Sequence, residues 1–168
     1  IHGRHPDRTT MNRMRRRRGR ASGLRRLTLS GYVLARNGVP LGGRGSLENM
    51  LKRSLGAASF ADFWRFWNPI WGYYLGRYVF RPSTRVLPYP LALILTFLVS
   101  GGIHDLVTTA VRGSPTLLFT PWFFLMSIGV LLGRVADMDL AARPWAFRFV
   151  TNLTYVGTCL LAAQRFRL

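Results

Sequence analysis

The sequence is poor in acidic residues and in cysteine, and it lacks motifs that would mark several familiar enzyme classes. Its 168 residues include 6 Asp and Glu and one cysteine, Cys159, which cannot form an internal disulfide. We expect Cys159 to be a small core residue rather than an acyl carrier. There is no carboxylate pair placed for acid–base catalysis, no CxxC motif and no Gly-rich phosphate-binding loop. His2 and His5 lie in a polar segment and are too few for a metal site, so no bound metal is expected.

Positive charge, by contrast, is abundant and is concentrated near the N-terminus. The chain has 24 Lys and Arg and a formal charge of +18, and eleven of its Arg fall within residues 1–36, where the only acid is Asp7. The remainder is apolar and aromatic. A basic segment attached to an apolar body is typical of an integral membrane protein with a cytoplasmic N-terminus. Residues 1–26 are accordingly predicted to be a disordered Arg-rich tail that orients the protein and binds lipid phosphates.

The same tail could bind nucleic acid through nonspecific phosphate contacts. The apolar remainder offers no RNA-reading fold, so we expect no specific nucleic-acid partner.

No apolar segment of suitable length follows the basic start, and no signal peptide is predicted. Because the chain begins with Ile1, we expect a fragment, a processed product or a reading frame extended upstream of its true start.

Beyond the tail, residues 27–45 are predicted to be a Gly-punctuated connector and residues 46–168 a membrane-embedded domain. A short amphipathic helix begins at Ser46, and residues 59–80, rich in Trp and Tyr, form an interfacial or partly re-entrant helix. The later apolar segments predicted to span the membrane are residues 91–111, 116–132 and 145–163. The predicted fold class is an all-α integral membrane protein with about three transmembrane helices plus amphipathic or re-entrant interfacial helices. Three spans place the C-terminus on the side opposite the N-terminus.

The stretch from Phe60 to Phe80 surrounds one amide side chain, Asn68, with ten aromatic rings, and Pro69 follows directly. Because proline has no N–H and disfavours the α conformation in the residue before it, the helix is predicted to break at Asn68. Such a break at membrane depth is tolerated where it is buried in protein or lines a cavity. An amide placed there can both donate and accept hydrogen bonds. Taken alone, the rings are also typical of an interfacial aromatic belt.

A second candidate, His104, lies inside the apolar segment 91–111. An ionisable side chain is costly there and indicates a functional site. Ser100, one turn away, is expected to bond its own helix backbone, and Gly101 leaves room for close helix packing or a passing substrate. Asp105 points in a different direction, so no His–Asp pair is predicted. The alternative is a packed histidine that bonds a carbonyl group of the neighbouring helix.

Two motifs in this order, F-W-x-x-W-N ending at Asn68 and V-S-G-x-x-H ending at His104, resemble those of the membrane-bound O-acyltransferases. The resemblance covers Phe63 to Asp105, about a quarter of the chain, and the Asn motif looks most like that of the sterol and diacylglycerol acyltransferase branch. It implies that an Asn or Asp on a broken helix and a His within a membrane helix face a shared tunnel, with Asn68 and His104 as the catalytic residues. The candidates for lining that tunnel are Trp64, Trp67, Trp71, Ser100 and Gly101.

The implied reaction is transfer of an acyl group from a thioester, such as acyl-CoA, to a hydroxyl of a lipid or glycan. Histidine is the usual base for the hydroxyl proton, and a preorganised Asn amide can donate to the developing oxyanion or to the acceptor oxygen. No cofactor is expected beyond the thioester co-substrate, and the expected partners are the lipid membrane, the acyl donor and the hydroxyl acceptor.

Members of this family are usually more than twice as long as this chain, and they build the tunnel from many helices. The chain is therefore expected to be a fragment, a subunit that completes its site with a second copy or an upstream partner chain, or a compact relative without activity. The alternative function is that of a non-catalytic membrane scaffold or partner subunit derived from the same family.

Overall fold

The computed structural model describes residues 27–166. Within this part of the chain every regular element is a helix and no strand is present, which confirms the predicted all-α class. A π-helical segment, Gly76–Phe80, and a final turn, Arg81–Ser83, extend the helix Pro69–Leu75. The predicted disordered tail lies outside the described residues. In chain order the helices are α1 (Leu29–Asn37), α2 (Ser46–Leu55), α3 (Phe60–Phe66), α4 (Pro69–Leu75), α5 (Tyr89–Arg112), α6 (Phe119–Val135) and α7 (Trp145–Ala163).

The segment predicted to be a connector contains a helix, α1, that its sequence did not indicate. The hydroxyl of Thr28 caps the start of α1, and Gly38 ends it in the left-handed conformation with φ 78°. Asn37 is buried at the last turn, and its side-chain amide donates to the carbonyl and the hydroxyl oxygen of Ser46 at 3.0 and 2.8 Å. The helix is held by these caps and by its contacts with α2. Its own nine residues show no apolar periodicity that would have predicted it.

The predicted amphipathic helix is α2, and α7 holds its C-terminal end. The indole N–H of Trp145 donates to the backbone carbonyl of Lys52 at 3.2 Å. The amide of the buried Asn152 donates to the carbonyl of Leu55 at 2.9 Å. Asn152, a polar residue within the third predicted span, therefore serves a contact between two helices.

The three predicted spans correspond to the long helices α5, α6 and α7, with α6 in contact with both of the others. The buried cluster at their centre includes Cys159, 8% exposed, which confirms the prediction that it is a core residue. Within the described residues, α5 is the one helix both long and apolar enough to cross a membrane, while α6 is apolar but has only 17 residues. Helices thus occupy all three segments, and the number that span the membrane stays a prediction.

Two residues lock α5 against the start of α6. The buried carboxylate of Asp105 accepts hydrogen bonds from three successive backbone N–H groups, those of residues 118–120, at 2.8 to 2.9 Å. A Cβ atom built on Gly101 would lie 2.7 Å from the carbonyl oxygen of Phe119, so a glycine is needed for this close approach. Asp105 thus bonds to α6, in agreement with the prediction that it forms no pair with His104.

Candidate active site

The helix breaks at Asn68, as the following proline predicted. Asn68 takes the left-handed conformation (φ 37°, ψ 73°), which asparagine tolerates better than most residues, and α4 begins at Pro69. The side-chain Oδ1 of Asn68 accepts a hydrogen bond from the backbone N–H of Trp71 at 3.2 Å, while its own N–H donates to Sδ of Met50 at 3.3 Å. Asn68 is exposed, and its Nδ2 donates to no group within residues 27–166.

His104 is half-buried on α5, and one of its ring nitrogens is engaged. Nδ1 lies 2.7 Å from the backbone carbonyl oxygen of Ser100, one turn earlier in the same helix. A carbonyl oxygen can only accept, so the proton of this bond belongs to Nδ1 and the neutral ring carries its lone pair on Nε2. In the described part of the chain Nε2 has no hydrogen-bond partner. The carbonyl group that His104 bonds therefore belongs to its own helix and not to the neighbouring helix that the alternative expected.

Trp71 connects the broken helix to His104. Its indole N–H donates to the hydroxyl oxygen of Ser100 at 2.9 Å. Its ring meets the imidazole of His104 edge to face, with centroids 5.9 Å apart and an interplanar angle of 86°. The prediction that Ser100 bonds its own helix backbone was wrong, since among the described residues its hydroxyl bonds to Trp71, 29 residues away in sequence.

Two phenylalanines of α6 form the other side of the histidine environment. The rings of Phe119 and Phe123 lie 5.4 and 5.2 Å from the His104 ring, centroid to centroid. Sequence reasoning did not find them, because a contact between two apolar helices depends on their relative register, which composition does not reveal. The ring of Phe123 also packs against Trp64 at 5.6 Å.

The five predicted tunnel candidates lie in different environments. Trp71 and Ser100 contact the His104 ring directly. Trp64 packs against the buried cluster, and its indole nitrogen is buried without a hydrogen-bond partner in the described residues. Trp67 is 36% exposed and stacks on Phe63. Gly101 faces the start of α6, so of the two uses predicted for it the structure shows close helix packing.

Two surface cavities lie away from these residues. One, of about 610 Å³, is lined by the C-terminal part of α7, and the other, of about 360 Å³, lies between α2 and α7. Across residues 27–166, no group of three His, Cys, Asp or Glu side chains is placed to hold a metal ion.

Comparison with known proteins identifies the family. Residues 43–156 match the family model of the membrane-bound O-acyltransferases. The chain belongs to the membrane-bound O-acyltransferase family. The matched range is more than half of the chain and contains both Asn68 and His104. The resemblance carried by the two motifs is therefore confirmed.

Among O-acyltransferases, the chain is similar to diacylglycerol O-acyltransferase 1 of Arabidopsis thaliana, with 37% identity over 70 residues. That region is 41% of this chain and 13% of the relative, so the matched region is a small part of that protein. The similarity supports the diacylglycerol acyltransferase branch that the Asn motif indicated. No solved structure matches the chain significantly.

Proposed function

We propose that this chain carries the acyl-transfer site of a membrane O-acyltransferase, with His104 as the base and Asn68 as the hydrogen-bond donor to the reacting carbonyl. The observation that carries the proposal is the bond between Nδ1 of His104 and the Ser100 carbonyl oxygen. It leaves Nε2, the nitrogen with the lone pair, without a partner among the described residues and therefore available to a substrate proton.

The proposed reaction uses an acyl thioester of the acyl-CoA type and a hydroxyl acceptor. The acceptor oxygen attacks the thioester carbonyl carbon while its proton passes to Nε2 of His104. The tetrahedral intermediate then collapses, the carbon–sulfur bond breaks, and the leaving thiolate takes the proton from the imidazolium. The products are an ester and a free thiol, and the histidine returns to its neutral form. Holding both reactants in one membrane site also reduces the entropic cost of their encounter.

Asn68 suits the donor role because its two side-chain atoms have separate tasks. Oδ1 is occupied by the N–H of Trp71, whereas Nδ2 is exposed and bonds to nothing in the described chain. A fixed amide N–H of this kind stabilises the negative charge that develops on the carbonyl oxygen during attack. The cap on α4 fixes the amide plane, so the donor is oriented before the substrate binds.

The acceptor is proposed to be a lipid alcohol. One face of α5 is apolar and exposed at residues such as Leu95 and Leu106, 38% and 71% exposed, which suits contact with acyl chains. The name of the Arabidopsis relative points to a diacylglycerol as the acceptor class. A glycan hydroxyl is the second acceptor class to be tested.

The donor is proposed to enter from the cytoplasmic side. The guanidinium of Arg134, near the end of α6, lies 4.2 Å from the ring centroid of Tyr89, the first residue of α5, so these two helix ends share one side. Arg85 precedes α5 and Arg143 lies in the loop between α6 and α7, on this same side, whereas Arg112 ends α5 on the opposite side. The positive-inside rule then assigns the side richer in Arg to the cytoplasm.

Reconstitution tests this function against the non-catalytic alternative. The protein is placed in liposomes with diacylglycerol and a series of acyl-CoA donors, and ester and free thiol are measured. Wild type is expected to form both, and His104→Ala and Asn68→Ala are expected to form neither while still inserting into the membrane. If wild type shows neither transfer nor thioester hydrolysis with any donor, the catalytic proposal fails and the scaffold or partner subunit is favoured.

A further inference from the structure

We infer that Trp71 is a positioning residue for His104 and that it acts through Ser100. The inference rests on the proposed function, because it states how the base of that reaction is held. It assigns to Trp71 and Ser100 a task other than lining a tunnel.

Ser100 receives hydrogen bonds from both residues, on two different oxygen atoms. Its hydroxyl oxygen accepts from the Trp71 indole at 2.9 Å, and its backbone carbonyl oxygen is bonded to Nδ1 of His104 at 2.7 Å. Ser100 is only 2% exposed, so water does not compete for either oxygen. Trp71 and His104 are therefore held to the same turn of α5 by a shared partner.

The imidazole needs such support because its last side-chain torsion has a broad energy minimum. Neighbouring groups must fix the ring plane. Trp71 meets the ring edge to face on one side, and the rings of Phe119 and Phe123 pack against it at 5.4 and 5.2 Å. When Trp71 is replaced, the ring gains rotational freedom, the Nδ1 bond is made for less of the time, and Nε2 no longer carries the lone pair consistently.

The helix break at Asn68 contributes to this positioning of Trp71. The break at Asn68 starts a new helix whose first turn contains Trp71, and the Asn68 side chain bonds to the backbone N–H of Trp71 itself. One asparagine thus fixes the backbone of the residue that fixes the histidine. The break connects the two candidate catalytic residues through a short chain of bonds.

The test compares Trp71→Phe, Ser100→Ala and the double variant in the full chain, reconstituted in lipid nanodiscs. Trp71→Phe keeps an aromatic ring but loses the indole donor, and Ser100→Ala removes the hydroxyl acceptor while keeping the backbone carbonyl that Nδ1 of His104 bonds in wild type. Trp145→Phe is the matched control, since it also deletes one indole hydrogen bond, to the Lys52 carbonyl, at a site remote from His104.

The first readout is the ¹⁵N spectrum of the histidine ring at a pH where the imidazole is neutral, in a His2→Gln and His5→Gln background. Wild type and the Trp145→Phe control are expected to show one tautomer, protonated on Nδ1. Trp71→Phe and Ser100→Ala are expected to show a mixture of tautomers. This readout does not require activity, and Ser100→Ala carries the test if Trp71→Phe fails to fold.

The second readout is steady-state kinetics. Each single variant is expected to lower kcat by about 10- to 100-fold and to change KM by less than about threefold, because the base is displaced while substrate contacts remain. The kcat of the double variant is expected to be no lower than that of the less active single variant, because both substitutions remove the same hydrogen bond.

The outcomes separate this inference from the proposed function. If the tautomer shifts in the variants but wild type transfers no acyl group, the positioning role stands and the proposed function fails. If His104→Ala is inactive while both variants keep the wild-type tautomer and kcat, the proposed function stands and the positioning role is overturned. Additive losses in the double variant would also overturn it.

Discussion

The side-chain oxygen of Asn68 accepts a hydrogen bond from the backbone N–H of Trp71 at 3.2 Å, so the residue that interrupts the helix also caps the next one. The cap uses Oδ1, and the proposed chemistry uses Nδ2. Structural and catalytic tasks of Asn68 therefore depend on different atoms and can be separated by substitution.

Asn68→Asp separates them, because a carboxylate can still accept from Trp71 but cannot donate. This variant is expected to keep the thermal stability of wild type and to lose acyl transfer by about 10²- to 10³-fold. Asn68→Ala loses both functions, and its stability is expected to fall by about 1 kcal/mol for the missing cap. Melting in detergent and transfer assays in liposomes measure the two effects. Wild-type activity of Asn68→Asp would contradict the role of Nδ2 as a hydrogen-bond donor in the reaction.

Gly101 and Gly102 form a matched pair for the contact between α5 and α6. A Cβ on Gly101 meets the Phe119 carbonyl oxygen at 2.7 Å, whereas a Cβ on Gly102 meets nothing closer than the Thr120 hydroxyl oxygen at 3.9 Å. Gly101→Ala is therefore expected to destabilise the fold by about 1–3 kcal/mol. Gly102→Ala is expected to be neutral or to stabilise it slightly, because alanine favours the helix. Thermal melting compares the two, and equal stability of both variants would contradict the described packing.

Asp105 is expected to be a structural residue despite its position beside His104. Asp105→Ala leaves three half-buried N–H groups at the start of α6 without their acceptor and should destabilise the protein by about 3–5 kcal/mol. Asp139→Ala, which removes a single bond to the exposed Ala141 N–H, is the control and should change stability by less than about 1 kcal/mol. A stable but inactive Asp105→Ala protein would instead place the carboxylate in the chemistry.

Membrane orientation is tested by single-cysteine labelling after Cys159→Ala. Val86→Cys probes the start of α5, at a residue that is 82% exposed and carries no charge, and Ser114→Cys probes the loop after its end. If α5 spans the membrane as proposed, a reagent that does not cross the membrane labels position 86 from the cytoplasmic side and position 114 from the opposite side. Labelling of both from one side would contradict the span, and reversed labelling would contradict the donor entrance.

The sequence predicted the features of the site that are local. Pro69 predicted the helix break at Asn68, and the apolar segment around His104 indicated that this ionisable residue belongs to a functional site. It did not predict the hydrogen bond from Trp71 to Ser100 or the ring contacts of Phe119, because these depend on how distant helices are placed side by side. It also missed α1, whose stability comes from caps and from partners outside its own segment.

The measurement that tests the central claim most directly compares acceptors of different acidity in His104→Ala. With a diacylglycerol, loss of the base is expected to slow transfer by about 10²- to 10⁴-fold. An analogue that carries a thiol in place of the hydroxyl depends less on a base, since a cysteine thiol, with a pKa of about 8.5, loses its proton far more readily than an alcohol. The variant should then retain far more of the wild-type rate with the thiol than with the alcohol. Equal losses with the two acceptors would contradict the assignment of His104 as the base.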